Sequence, residues 1–225
     1  PVRLLLPRDQ DMCITGKRHA FHGKYKATYD EETGRGEAVD VNLYSNAGNW
    51  HDLSMPVLDR AIMHSDNSYH VPNMHVHGAA CRTNTISNTA YRGFGGPQGM
   101  LVAEAWIEHI AAATGIPPHI VRQRNLYQNS DQVTHYNMKV GNIDLPRLFS
   151  ECMEQSELEA RYENVGKFNK ENRWRKRGIS IVPSKFGIAF THTPMNQASA
   201  LVHVYSDGTV HQGTANCGAH FGDSS

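Results

Sequence analysis

Apolar and polar positions change rhythm several times along the chain, and each change predicts an element. Between Phe21 and Tyr44 two stretches of strand character flank Asp30-Glu31-Glu32-Thr33-Gly34-Arg35-Gly36, a polar run with two glycines that suits a hairpin turn. Ser54 is a candidate N-cap ahead of a short helix over residues 56–64, with Pro56 in its first turn and Arg60 on its surface. Residues 69–85 alternate enough for strands. Residues 100–114 predict an amphipathic helix with Met100, Ala103, Ile107, Ile110 and Ala111 near one face, stopped by Gly115 and then Pro117-Pro118. From Leu145 to about Trp174 the spacing is again helical, with Leu148, Cys152, Leu158, Tyr162, Val165 and Phe168 expected in the core. Residues 179–191, rich in β-branched and aromatic side chains, predict a buried strand. Residues 198–205 predict another, turning at Ser206-Asp207-Gly208-Thr209. Strands and helices are mixed without a clean βαβ rhythm, repeat or linker, so the expected class is α+β.

Composition narrows the partners. The chain has 225 residues, 39% of them hydrophobic, enough to bury a core without disulfide or metal staples. Twenty-two Lys and Arg balance 22 Asp and Glu, and this neutrality argues against nucleic acid or an anionic membrane as the default partner. No apolar run approaches a bilayer's width. The start, Pro1-Val2-Arg3-Leu4-Leu5-Leu6-Pro7, has neither an initiating Met nor a usable signal core and reads like the middle of something longer. Cys13, Cys81, Cys152 and Cys217 form no CxxC pair and are expected as reduced thiols in an intracellular, cytoplasmic protein, with the peroxisome as the alternative compartment. The basic run Arg173, Arg175, Lys176 and Arg177 beside Trp174 is expected as a solvated helix end. His75 and His77, two apart with His70 nearby, would share a strand face; without a third ligand of clear spacing, ordinary polar residues are expected there rather than a metal site.

The densest chemistry lies in residues 87–99. Gly93, Gly95, Gly96 and Gly99 open backbone angles closed to other residues and let a ligand approach the main chain. Such a loop feeding a helix N-terminus makes an anion or cofactor cradle, with Arg92 and Phe94 adding a cation and a flat ring. The spacing fits neither GxGxxG, since Gln98 takes the third position, nor the phosphate loop GxxxxGK[ST]. A tight turn that needs small residues accounts for the same glycines.

Ser87-Asn88-Thr89-Ala90-Tyr91-Arg92-Gly93-Phe94-Gly95-Gly96-Pro97-Gln98-Gly99 resembles the SNTAFRGFGGPQ motif of the molybdenum hydroxylases. Other stretches resemble the same family in the same order: Asp11-Met12 with Ile14-Thr15-Gly16-Lys17-Arg18-His19, Leu58-Asp59-Arg60-Ala61, Asn125-Leu126-Tyr127, Phe168-Asn169-Lys170-Glu171-Asn172, Lys185 through Thr191, and Asn196-Gln197-Ala198. The likeness covers about residues 1–210 and leans to the xanthine dehydrogenase branch, because arginine at position 60 favours it over the aldehyde oxidases. The resemblance implies a piece of the molybdopterin-binding region, with residues 1–145 ending its first half, 146–210 starting its second and 211–225 as a non-matching tail.

What the family does then becomes the expectation. Its enzymes hydroxylate a purine or aldehyde carbon with oxygen derived from water, and electrons leave through two 2Fe-2S clusters and FAD to NAD or oxygen, in other domains or subunits of a homodimer. By the same likeness Arg92 lies beside the molybdopterin and near molybdenum without ligating it, with Gly93, Phe94 and Gly95 also at the cofactor. Phe94 and Phe190 hold the substrate ring, one stacked and one edge-on, and the Thr191 hydroxyl bonds the substrate. Arg60 pairs with the purine carbonyl and stabilises negative charge as the ring is attacked, the catalytic role expected of this chain.

Departures carry expectations too. Pro7 stands where Asp is usual and Ser199 where Gly is usual. After Val210 a segment like THGGTEMGQG should follow, but His211-Gln212-Gly213-Thr214-Ala215-Asn216 runs on to Ser225 without it. The expectation is a fragment whose last residues come from a wrong exon or a shifted frame, inactive alone because it lacks the base carboxylate and part of the pterin cradle. The competing readings are an aldehyde oxidase-type hydroxylase and a non-catalytic module that binds an anion or cofactor.

Overall fold

The structure, a computed structural model, describes residues 2–141 and 143–216. Its organising element is a three-stranded sheet of β1 (Phe21–Tyr29), β2 (Gly36–Gly48) and β3 (Asn73–Arg82), in that order. The predicted hairpin is present: β1 and β2 pair antiparallel, Tyr25 opposite Val41, around a turn in which Asp30 Oδ1 accepts the Thr33 amide at 2.7 Å. β3 then pairs parallel to β2 through α2 (Ser54–Met63), so one βαβ unit exists inside the mixed class. Alternation decides the faces. Val39, Val41 and Leu43 are buried, while Asp40 and the neighbouring His75 and His77 face outward.

The inner face packs on α2 and α3 (Gly96–Thr114). Ala103, Trp106, Ile107, Ile110 and Ala111 of α3 are buried, and Trp106 meets Tyr69 edge-on at 5.7 Å. Gly115 ends α3 in the left-handed region with its N–H on Ala111 O at 2.9 Å. Pro118 then starts a further helix, α4 (Pro118–Asn125), where the sequence reads only a stop; a proline in the first turn is preset for a helix.

Ser54 is the first residue of α2 rather than a cap, and its hydroxyl is hydrogen-bonded with the buried His19 ring at 2.8 Å. The helical stretch after residue 145 is broken into α5 (Leu145–Gln155) and α6 (Leu158–Glu171), with Glu157 at φ 50 between them. Phe149 and Leu158 are buried, while Leu148 and Cys152, expected in the core, are exposed, because α5 turns the face that carries Phe149 inward. A short helix α1 (Arg8–Ile14) precedes β1, and β4 (Ala198–Val204) pairs with β5 (Val210–Asn216) as the second expected hairpin.

The strand expected over residues 179–191 is absent. That segment is irregular and lies against α2 and the turn that follows it, with side chains in place of a neighbouring strand as hydrogen-bond partners. Cys13, Cys81 and Cys152 are free thiols; Cys217 and the tail from it onward lie outside the described residues. No helix among the described residues is long and apolar enough to cross a membrane.

Candidate functional site

Three pieces of chain meet at the C-terminal half of α2: the glycine loop, the turn at residues 64–69 and the segment 183–191. The glycines make the first approach. A Cβ on Gly95, which has φ 97, would lie 2.0 Å from Val57 O, and one on Gly99 would lie 2.3 Å from Ala61 O. These positions therefore serve the close crossing of α3 over α2. The amides of Phe94, Gly96 and Gly99 are already engaged by the carbonyls of Tyr91, Gly93 and Gly95, so the expected anion cradle is partly consumed within the loop. Phe94, next to this crossing in sequence, is itself at φ 48 and 3% exposed.

Arg60 is 1% exposed, and its Nη1 donates to Gly187 O at 2.9 Å while Nη2 donates to Ala189 O. Its guanidinium lies 4.8 Å above the Phe186 ring, and its Nε has no partner. Burial lowers its pKa from the ordinary guanidinium value. Phe190 follows Ala189, a non-glycine residue at φ 67, and meets Phe94 edge-on with centroids 5.9 Å apart. Thr191 places a buried hydroxyl without a protein partner beside them in sequence. Arg92 projects from the loop as an exposed cation. The structure thus brings Phe94 and Phe190 together and ties Arg60 to the segment that carries Phe190 and Thr191.

Sequence reasoning missed the polar turn beneath. His64, Ser65, Asp66, Asn67 and Ser68 are all buried, though such a run reads as solvated loop. Asn67 Nδ2 donates to Pro183 O at 2.9 Å and to Glu104 Oε1 at 2.7 Å, and Lys185 donates its ammonium to Asp66. Tyr127 donates to the same carboxylate at 2.7 Å. Burial by itself would raise the Asp66 carboxyl; the facing His135 and the Lys185 ammonium outweigh it and hold the pKa below the ordinary value. Burial likewise pushes Tyr136 up to about 12, with the Asp66 charge adding to it. The one signal of this seam in the sequence is Lys185-Phe186-Gly187, a stretch shared with the family rather than a pattern of burial. His75 is outside it altogether, bonded to Asp40 Oδ1 at 2.7 Å on the outer sheet face, and among the described residues no three His, Cys, Asp or Glu cluster for a metal.

The fold and this site define a class. Family models described as "Molybdopterin cofactor-binding domain" match residues 1–126 and 151–220, and the chain belongs to that family. Among individual proteins it is 52% identical over 95% of its length to the "Xanthine dehydrogenase/oxidase" of Felis catus, of which it covers 16%. It is 48% identical over 95% of its length to the "Xanthine dehydrogenase" of Dictyostelium discoideum, again covering 16%. The chain thus spans about a sixth of the length of these relatives. Among solved structures, the aldehyde oxidoreductase from Desulfovibrio gigas superposes with a TM-score of 0.66 at 23% identity, over 88% of this chain and 21% of that one. Quinoline 2-oxidoreductase from Pseudomonas putida 86 superposes with a TM-score of 0.58 at 20% identity, over 67% and 20%. Both share the fold.

Proposed function

We propose that the chain is the substrate-facing part of the molybdopterin region of a xanthine dehydrogenase-type oxidoreductase that hydroxylates purines. The observation that carries the reading is the convergence of a buried guanidinium and an aromatic pair, Arg60 with Phe94 and Phe190, in a chain about half identical to xanthine dehydrogenases. The residues present fit the cofactor. Buried polar atoms without protein partners, Arg18 Nη1, Gln98 Oε1 and Thr191 Oγ1, flank the loop and the aromatic pair, as a site built for a polar group requires. Arg92 with the Gly93 and Gly95 backbone, and the Phe94 ring beside them, would hold the anionic pterin, and Arg92 would stand near the molybdenum without ligating it. When bound, the cofactor supplies the oxygen added to the purine carbon and takes up the electrons.

The chain's own residues bind, orient and stabilise. Phe94 offers a face on which a flat purine stacks and Phe190 an edge, but their rings now touch at 5.9 Å, within the ~4.5–7 Å of direct aromatic pairs. A substrate therefore has to displace one ring from the other. Arg60 presents a permanent cation where negative charge grows on the purine carbonyl; in the buried site its pull is weakly screened. Thr191 donates or accepts one further hydrogen bond.

The rest of the proposal concerns the parent protein. Residues 1–145 and 146–210 belong to the two molybdopterin-binding halves. Electrons pass through two 2Fe-2S clusters and FAD to NAD, on iron-sulfur and FAD domains or subunits, in a cytoplasmic homodimer. The test is turnover by the full-length, molybdenum-loaded protein. Xanthine should be converted to urate, and Arg60→Met should lower kcat/KM for xanthine by about 100-fold, the effect of removing one preorganised donor. A preference for aldehydes would favour the aldehyde oxidase reading, and absence of molybdenum and pterin from the native protein would favour a non-catalytic binding module.

A further inference from the structure

We propose that His64 is a positioning residue: from the turn that ends α2 its ring locks Gly187 in place and so aims Phe190 at Phe94. The inference rests on the reading above that Phe190 meets the substrate.

His64 is 2% exposed, and both its nitrogens are committed. Nδ1–H donates to Arg60 O at 2.8 Å, one helical turn back, and this fixes the tautomer. Nε2 is then a lone-pair acceptor, and it takes the Gly187 N–H at 3.1 Å. Only the neutral ring makes both bonds. The charged groups facing it are Arg60 and Lys185 on one side of the balance and Asp66 on the other, with the Phe186 ring at 5.0 Å.

Gly187 is thereby gripped at both ends, by one side chain of α2 and by one from the turn that ends it. Its amide is on His64 and its carbonyl on Arg60 Nη1. Two residues later Ala189 adopts φ 67, a left-handed turn that a residue with a Cβ keeps only where its surroundings over-determine it. That turn directs Phe190, whose own amide and carbonyl are held by Asn196 at 3.1 and 2.7 Å. Arg60 has two demands on it: to reach a substrate carbonyl it must release backbone carbonyls it now holds. His64 makes no contact that a substrate would claim, so it keeps the segment anchored when Arg60 turns away.

The test uses the full-length, cofactor-loaded enzyme. His64→Asn keeps a donor for Arg60 O but withdraws the acceptor from Gly187; KM for xanthine should rise about tenfold, the value of one such hydrogen bond, with kcat per molybdenum within about twofold. His64→Gln, whose carbonyl oxygen reaches the place of Nε2, should restore KM to within about threefold of wild type. Hydrogen exchange at the Gly187 amide should be about tenfold faster in His64→Asn, with the β2 amides unmoved. A falling kcat at unchanged KM would mean that the ring only maintains the fold, and it would overturn the inference, as would a Gln variant no better than Asn or unaltered exchange at Gly187. Wild-type enzyme without purine turnover defeats the proposed function instead, and the exchange measurement then still decides whether His64 locks Gly187.

Discussion

The interior beneath the sheet and the seam beside α2 are both buried, yet they are built from opposite materials. Val41, Leu43, Ile107, Ile110 and Trp106 fill the first with apolar surface, stabilising it by water exclusion without regard to exact partners. His64, Asp66, Asn67 and Lys185 fill the second with groups whose burial is tolerable only because each finds a specific partner. The first tolerates change in proportion to volume. The second is sensitive to the loss of single bonds and to pH, and that is the region that orients the candidate site.

Three measurements would break or sharpen this contrast. The largest effect should come from the apolar side: Trp106→Ala, at a fully buried position, is expected to cost about 4 kcal/mol in urea unfolding. A loss near zero would mean that the core does not close as described. The seam should respond to acid. His64 is depressed from 6.5 to about 4, by burial first and then by the Arg60 and Lys185 charges, so between those pH values the unfolded chain binds a proton that the folded one refuses. Its contribution is complete above pH 6.5 and falls away as pH drops toward 4, on the order of 3 kcal/mol in all. His64→Gln should remove that part of the pH dependence, read from unfolding midpoints across the range. The smallest effect is expected from Lys185→Met, about 2 kcal/mol. Removing the ammonium strands the Asp66 carboxylate, but a lysine 19% exposed leaves water some access and lowers the cost below that of a fully buried pair. Asp66→Asn combined with Lys185→Met should recover part of the loss, and strict additivity of the two changes would refute a direct pairing.

Much of the apolar side was legible from residue spacing. The helical stripe of residues 100–114 names its buried face, and the strand character on either side of the polar turn at residues 30–36 gives the first hairpin, because a strand or helix repeats its geometry along the chain. Trp106 was overlooked among better-spaced aliphatic residues, and α4 was hidden behind Pro117-Pro118. The seam was not legible. A run of His-Ser-Asp-Asn-Ser carries the signature of a solvated loop, and its partners Pro183, Lys185 and Gly187 lie more than a hundred residues away. The apolar content of residues 179–191 pointed to a strand, but local composition cannot reveal that side chains of α2 and the following turn satisfy that backbone.

The sequence by itself determined the class, the two hairpins, the α3 helix and, through its resemblance to a known family, the residues to watch: Arg60, Arg92, Phe94, Phe190 and Thr191. Only the tertiary structure decided that Arg60 is buried on backbone carbonyls, that Gly95 and Gly99 admit α2, and that a buried histidine holds the Gly187 amide. The physical reason is the range of the forces. Periodic burial is written residue by residue, whereas a hydrogen bond across 123 positions exists only once the chain has brought its two ends together.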